Sequence, residues 1–259
     1  TGSMSELIAL TSIAHTEIKK ADPSAQVISP SFTGLDERMK WLFDFLRQGG
    51  ARYIDAAAYH LYDGAQPPEH MVMKVLQLQE LLRNAGFGSL PLWNTESGYF
   101  MYDLASERAA RWSEYEYKNR ISPESGEIYL ARAMLLARAA GVQRFYWYAW
   151  ENAKLGFIDP ERKSLRGIAT AYANTVNLLM RSTLHRCIRS SAGIWECTLT
   201  MANGKAGKAL WIDPEAASTS APCPLTEGWD AFKLDGSIAR PLAPKQVLLT
   251  PAVTLLRQR

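Results

Sequence analysis

The sequence predicts an α/β fold built on a parallel sheet, followed by a small antiparallel β region. Three observations carry this. Strand-type apolar runs alternate with helical stretches up to about residue 182, the pattern of parallel strands joined by right-handed helical crossovers. From about Leu184 the helices stop, and short β-type runs follow one another between Gly, Pro and Asp turns. The strands of the first part end in polar and aromatic residues, where a purely structural turn would carry Gly, Asn or Asp.

Each element has its own signal. Ser5 to Ala21 reads as a helix with Leu7, Leu10, Ala14 and Ile18 on one face, stopped by Asp22-Pro23. Ala25 to Ser29 reads as a short buried strand. Leu35 to Gln48 is helical, with Met39, Leu42, Phe43 and Leu46 on one stripe and Gly49-Gly50 as the stop. Tyr53 to Tyr59 reads as a strand that runs into His60-Leu61-Tyr62. Pro68 to Ala85 is a third helix closed by Gly86, and Leu90 to Asn94 a third strand ending in Thr95-Glu96. Ser97 to Ile121 is a long polar and aromatic stretch. Ser122 and Pro123 then supply an N-cap and a first helical position for a helix to about Ala140. Arg144 to Trp150 is the fourth strand, almost continuously aromatic, and Leu165 to Arg181 is the last helix. The later β-type runs are Trp195–Met201, Lys208–Ile212 and Val247–Leu249, with Pro214–Pro224 as an Ala-, Ser- and Pro-rich loop. The expected division is an α/β part over residues 5–182 and a β-sandwich-like module over residues 183–259.

Bulk composition narrows the function classes. The 259 residues are 47% hydrophobic and 21% charged, an ordinary globular mixture. A net charge of +3, with no cluster of Lys and Arg among aromatics, argues against a nucleic-acid partner. No apolar run approaches the ~20 residues of a membrane helix, so no membrane partner is expected. His15, His70 and His185 are scattered, and Cys187, Cys197 and Cys223 fit no metal-ligand spacing; no metal and no cofactor are expected. Cys187 and Cys197 could face each other across a hairpin, but an unpaired buried thiol is the favoured reading.

Chemistry in a parallel α/β barrel gathers at the C-terminal ends of the strands. Those ends carry Ser29-Pro-Ser-Phe32, Tyr59-His60-Leu61-Tyr62, Trp93-Asn94-Thr95-Glu96 and Trp147-Tyr-Ala-Trp150-Glu151-Asn152. Glu96, a carboxylate at a strand end beside Gly98, suits a nucleophile that must attack from one fixed direction. His60 and Tyr62 are placed to hydrogen-bond it or a ligand hydroxyl, and a donor there keeps it ionised. Trp150 is a candidate floor for a sugar ring. Trp147 and Trp150 differ in strand parity, so one should face the barrel and the other the helices. Trp93, Asn94 and Tyr99 complete the candidate binding set. Tyr99, Phe100, Tyr102, Trp112, Tyr115 and Tyr117 crowd the stretch after the third strand, which reads as a wall of a substrate cleft.

The ordered strand ends His60-Leu61-Tyr62, Trp93-Asn94-Thr95-Glu96-Ser97-Gly98 and Tyr146-Trp147-Tyr148-Ala149-Trp150 resemble the last strands of clan A glycoside hydrolases, which are retaining (β/α)8 enzymes. The nearest likeness is to family 39, of the β-xylosidase and exopolysaccharide-hydrolase type, with family 5-like cellulases second. The resemblance implies strands 5–8 of an incomplete TIM barrel with its helices, then an antiparallel β module. It implies polysaccharide degradation with a carbohydrate substrate, and Glu96 as nucleophile on the seventh strand, with His60 and Tyr62 closing the sixth and Trp150 the eighth. The parent enzyme would be secreted or periplasmic, although the sequence shows no signal peptide and Thr1-Gly-Ser-Met4 reads as a cloning scar.

The departure from that family matters as much. Clan A enzymes carry the general acid/base as the Glu of an Asn-Glu pair, and no Asn-Glu dipeptide occurs here. Glu151 is the one replacement acid named, with Glu69 and Asp63 weaker. A half barrel leaves two sheet edges and an apolar interior uncovered, which a second copy of the chain would cover most simply. The alternative is a truncated or pseudoenzyme fragment that binds carbohydrate without efficient hydrolysis.

Overall fold

The computed structural model describes residues 2–33, 39–102, 111–235, 237–239, 241–243 and 245–259, the last two stretches and α2 without the side chains of residues 39 and 241–243. In chain order the elements are α1 (Met4–Ala21), β1 (Phe32–Thr33), α2 (Met39–Arg47), a 3-10 turn (Gly50–Tyr53), β2 (Ala57–His60), α3 (Pro68–Asn84), β3 (Leu92–Ser97), β4 (Phe100–Met101), α4 (Glu114–Lys118), β5 (Arg120–Ile121), α5 (Pro123–Ala139) and β6 (Val142–Trp147). There follow β7 (Ile158–Asp159), β8 (Ser164–Leu165), α6 (Gly167–Met180), β9 (Ser182–Arg189), β10 (Ile194–Met201), β11 (Ala206–Ile212), β12 (Ala221–Pro224), β13 (Trp229–Lys233), β14 (Pro241–Ala243), β15 (Gln246–Leu249) and β16 (Thr254–Gln258). The chain divides into two compact units, one of Thr1–Asp63, Met71–Gly98 and Gly141–Tyr148, the other of Gly64–His70, Tyr99–Ala140 and Ala149–Arg259.

The first unit is a parallel sheet with helices. Its strand order is β1-β2-β3-β6, with every neighbour parallel. One face is packed: Tyr59 of β2 and Leu92 and Asn94 of β3 are buried, as are Leu42, Phe45 and Leu46 of α2 and Val75, Leu78 and Leu82 of α3. Phe32 of β1 meets Phe45 with ring centroids 5.9 Å apart. The opposite face carries Trp93 and, in register with it, Arg144, whose guanidinium lies 4.5 Å from the indole centroid. Arg144, Tyr146 and Tyr148 are exposed.

Several elements differ from expectation. The strand expected over Ala25–Ser29 is reduced to one parallel bridge, Ile28 to Ala56, and β1 begins only after Pro30, which has no N–H to donate. Tyr53–Tyr59 is not one strand. Gly49, at φ 106°, turns the chain into the 3-10 segment, and β2 is confined to Ala57–His60. The N-terminal helix forms with a Ser3–Glu6 capping box but turns a different row inward. Leu10 is 65% exposed and Ala14 and Ile18 are also exposed, because the inward contacts are made by His15 against Tyr53 and by Lys19, 2.9 Å from Asp55. Residues 35–38 of the second expected helix lie outside the described residues.

The second unit holds the packed helices α5 and α6, the short helix α4, two small two-stranded sheets and two larger antiparallel sheets. Ser122 caps α5 as expected, accepting from the Ser125 N–H, with Pro123 in the first turn. The larger sheet runs β13-β16-β11-β10-β9 and the smaller β12-β15-β14. Leu210, Ile212, Ala231 and Leu256 of the larger sheet join Val247 and Leu249 of the smaller in one buried cluster, so the sheets pack face to face. The expected loop Pro214–Pro224 supplies β12, an edge strand. Cys187 and Cys197 oppose each other on β9 and β10 and form a disulfide, which corrects the unpaired-thiol reading. The hairpin register, invisible in the sequence, decides it.

The deepest polar contact of this unit joins distant segments. Arg132 of α5 is fully buried, donates through Nε to Glu69 Oε1 at 2.9 Å and pairs through Nη2 with Glu69 Oε2. The Trp211 indole N–H donates to the same Oε1 at 2.8 Å.

Candidate active site

Glu96 lies within β3 rather than beyond it. Parallel pairing sets Thr33, His60 and Glu96 in one row, and Ser97 against Trp147. The register shifts between Tyr59 and His60 and again between Asn94 and Ser97. Such bulges bend a strand locally and re-aim a side chain. The backbone around Glu96 is held on both sides. The Leu61 N–H donates to the Glu96 carbonyl at 3.1 Å, and the Tyr148 N–H to the Ser97 carbonyl at 2.8 Å. Ser97 Oγ donates to the Leu61 carbonyl at 2.9 Å, and Thr95 Oγ1 meets Ser31 Oγ at 2.8 Å.

The carboxylate itself has one short partner. Tyr62 Oη donates to Glu96 Oε1 at 2.8 Å. His60 Nδ1 stands 3.6 Å from the same oxygen, within electrostatic reach but beyond hydrogen-bond length. Burial, and then the Glu96 carboxylate, push the Tyr62 phenol well above its ordinary range, with Tyr148 adding to the shift. Tyr62 is therefore a fixed neutral donor at every ordinary pH. The Glu96 side chain keeps 33% of its surface exposed. Such a carboxylate is rigid, oriented and approachable, which is what a nucleophile or an anchoring acceptor requires.

The other sequence-predicted residues scatter. Asn94 is 1% exposed and in register with Tyr59, on the face opposite to His60, so it is withdrawn from any ligand set. Tyr99 is 1% exposed and packs edge-on to Tyr129 at 5.2 Å, which withdraws it as well. Glu69, held by Arg132 and Trp211, is withdrawn as an acid. Asp63 is ion-paired with Lys74. Trp93 sits beneath Arg144, and Trp147 is the half-buried last residue of β6. Trp150 lies beyond β6, so strand parity does not govern it; it is 65% exposed and edge-on to Phe157. The Glu151 carboxylate is exposed and takes a 3.2 Å contact from Lys163 Nζ.

Sequence reasoning missed the residue that orders the aromatic stretch. The Arg120 guanidinium lies 3.7 Å from the Tyr117 centroid, with Tyr102 and Trp112 at 5.6 and 5.8 Å. Lys154 sits over Trp112 and binds both oxygens of Glu116 at 2.8 Å. The density of aromatics before Arg120 was the available signal. Residues 103–110 of this stretch lie outside the described residues. Among the described residues, no cluster of three His, Cys, Asp or Glu could hold a metal, and no helix is long and apolar enough to cross a membrane.

Comparison with solved structures places this architecture. The chain superposes on the glycoside hydrolase family 39 β-xylosidase of Caulobacter crescentus with a TM-score of 0.61 at 14% identity, covering 99% of this chain and 62% of that one. The α-L-arabinofuranosidase of Thermotoga maritima, in its arabinose complex, gives 0.63 at 13%, with 100% and 62% covered. The family 30 endoxylanase of Clostridium papyrosolvens C71 gives 0.57 at 9%, with 100% and 61% covered. The fold is glycosidase-like. It matches part of the TIM-barrel fold of clan A glycoside hydrolases, and the chain spans about three fifths of the length of these structures. No family model and no curated protein matches the sequence.

Proposed function

We propose that the chain belongs to a retaining glycosidase acting on O-glycosidic bonds of a carbohydrate substrate, with Glu96 as the nucleophile. One observation carries the reading: a carboxylate one third exposed at the C-terminal end of a parallel strand, clamped through its backbone and oriented by a neutral tyrosine. The glycosidase-like fold supports it. In this reading β1, β2, β3 and β6 are the fifth to eighth strands of a (β/α)8 barrel, and residues 183–259 act as an attached β module. The Glu96 carboxylate attacks the anomeric carbon and the glycosidic oxygen leaves with a proton. Water then cleaves the glycosyl-enzyme ester. Tyr62 fixes one carboxylate oxygen, and as the ester forms and charge leaves the carboxylate it can turn its hydroxyl toward the ring oxygen.

The proton donor is the open half of the mechanism. Retaining chemistry asks for a second carboxyl ~5–5.5 Å from the first. Glu151, engaged by Lys163, is the weak candidate. An activated aryl glycoside needs little acid assistance, so Glu96→Gln should abolish release of p-nitrophenol from aryl β-xylosides and arabinofuranosides. Hydrolysis that survives the change sinks the assignment. The pairing of Glu151 with Lys163 favours a second reading, in which the chain binds saccharides without hydrolysing natural ones efficiently. Unchanged xylobiose incubated with active-site-intact protein supports that version.

We propose further that a second copy covers the apolar groups left outside, Leu10 and Ile13 on α1 and Tyr146 on the β6 edge. A monodisperse monomer in light scattering at micromolar concentration counts against it.

A further inference from the structure

The two-sheet region of the second unit contains a cleft of 360 Å³ lined by Ile194, Glu196, Lys208, Leu210, Cys223, Thr226 and Trp229, among others. Its position follows from register. Glu196 pairs with Leu210, and Lys208 is two residues before Leu210 on the same strand, so all three point to the face that packs on the smaller sheet. Along that face Leu210, Ile212 and Leu256 are buried core. Glu196 and Lys208 break the apolar pattern. Their heads meet at 3.1 Å with about a third of each side chain exposed. An inner-sheet position that holds a charged pair gives up apolar packing and partly desolvates both ions. The half-buried Trp229, on β13 and separated from β11 by β16, packs against the same core cluster and lines the same cleft.

We infer that this cleft is a second saccharide-binding site, separate from Glu96 and suited to a neutral sugar of one or two rings. The volume falls in the range of small-ligand pockets, ~300–1,000 Å³. The Glu196 carboxylate accepts from two sugar hydroxyls, and the Lys208 ammonium donates to a third. Their charges cancel, which selects a neutral polyol over a sugar acid or an amine. The Trp229 indole offers an apolar surface to the C–H face of a pyranose, and Thr226 adds a polar residue to the lining. The inference rests on the chemistry of the cleft itself and does not need Glu96 to be a nucleophile.

Cys223 makes the site readable. It lines the cleft and is the one cysteine outside the disulfide. A bound sugar should therefore slow its alkylation. The test follows Cys223 modification by a maleimide in Glu96→Gln protein, with xylobiose and cellobiose titrated to about 50 mM, a range that captures millimolar affinities. The expected result is saturable protection by at least one of them. Trp229→Ala and Glu196→Gln should each weaken that protection about tenfold or more. Glu196→Gln is a near-isosteric change that tests the site even where Trp229→Ala disturbs the sandwich. Trp229→Ala placed in protein with Glu96 intact should leave aryl glycoside hydrolysis unchanged. Alkylation indifferent to both sugars overturns the inference, as does protection that survives Glu196→Gln at full strength. Protection without any hydrolysis by the Glu96 protein keeps this site and removes the nucleophile; hydrolysis without protection does the reverse.

Discussion

Two carboxylates, Glu96 and Glu69, show how one residue type is put to opposite uses. Glu69 is buried, bridged by Arg132 through two nitrogens and by the Trp211 indole. Arg132 offsets its charge and three donors occupy its oxygens, so it ties three segments together and is withdrawn from any ligand. Glu96 has a neutral phenol as its hydrogen-bond donor and a third of its side chain in the open. It keeps its approach. Partner chemistry separates the two better than burial alone: a guanidinium consumes a carboxylate, whereas a tyrosine aims it.

The contrast can be broken at either end. The largest effect should come from Glu96→Gln, with a loss of about 10⁴-fold or more in kcat for an activated glycoside. Its unfolding free energy in urea should move little, within about 0.5 kcal/mol of the parent. Arg132→Ala should invert that signature. Leaving Glu69 buried and unpaired should cost about 3–5 kcal/mol in chemical denaturation. A small loss there would mean that water reaches the cluster and that the two carboxylates differ less than described.

Reduction of the Cys187–Cys197 bond, or Cys187→Ser with Cys197→Ser, should cost about 2–4 kcal/mol. Cys197 is fully buried and Cys187 only partly so, and a reductant should therefore attack at the Cys187 sulfur.

The smallest effect, about 1 kcal/mol, is expected for Tyr62→Phe, which removes one charge-assisted hydrogen bond. The Tyr62 phenol is held above its ordinary value, so the proton that makes this bond is fully present below pH ~10. The contribution should fade as pH rises above that value toward the folded-state pKa. A pH titration of stability should therefore show the wild type losing its advantage over Tyr62→Phe only in alkali. An advantage lost near neutrality would mean that His60 or another group governs the contact.

The sequence was most legible where local rules decide. Ser122-Pro123 marked the start of α5 to the residue, and Glu96 stood out by its place at a strand end. It was least legible where distant partners decide. The inward face of α1 depends on Tyr53 and Asp55, so Leu10 went outward despite its apolar spacing. Asn94 sits in the same motif as Glu96, yet a register shift between them puts it in the core. Glu69 looked like a spare acid because Arg132 is 63 residues away and Trp211 142 residues away.

That last separation also sets a clock. On the ribosome Glu69 emerges long before either of its partners, and at ~5–20 residues per second Trp211 follows roughly 7–30 s later. Until Arg132 emerges, 63 residues after Glu69, the carboxylate must stay in water, because burying it unpaired is too costly. The segment Gly64–His70 therefore cannot settle into its compact unit until α5 exists, and its last partner, Trp211, comes only with β11. A nascent chain halted before Arg132 should expose this segment to protease, and one that has carried both Arg132 and Trp211 clear of the ribosome should protect it.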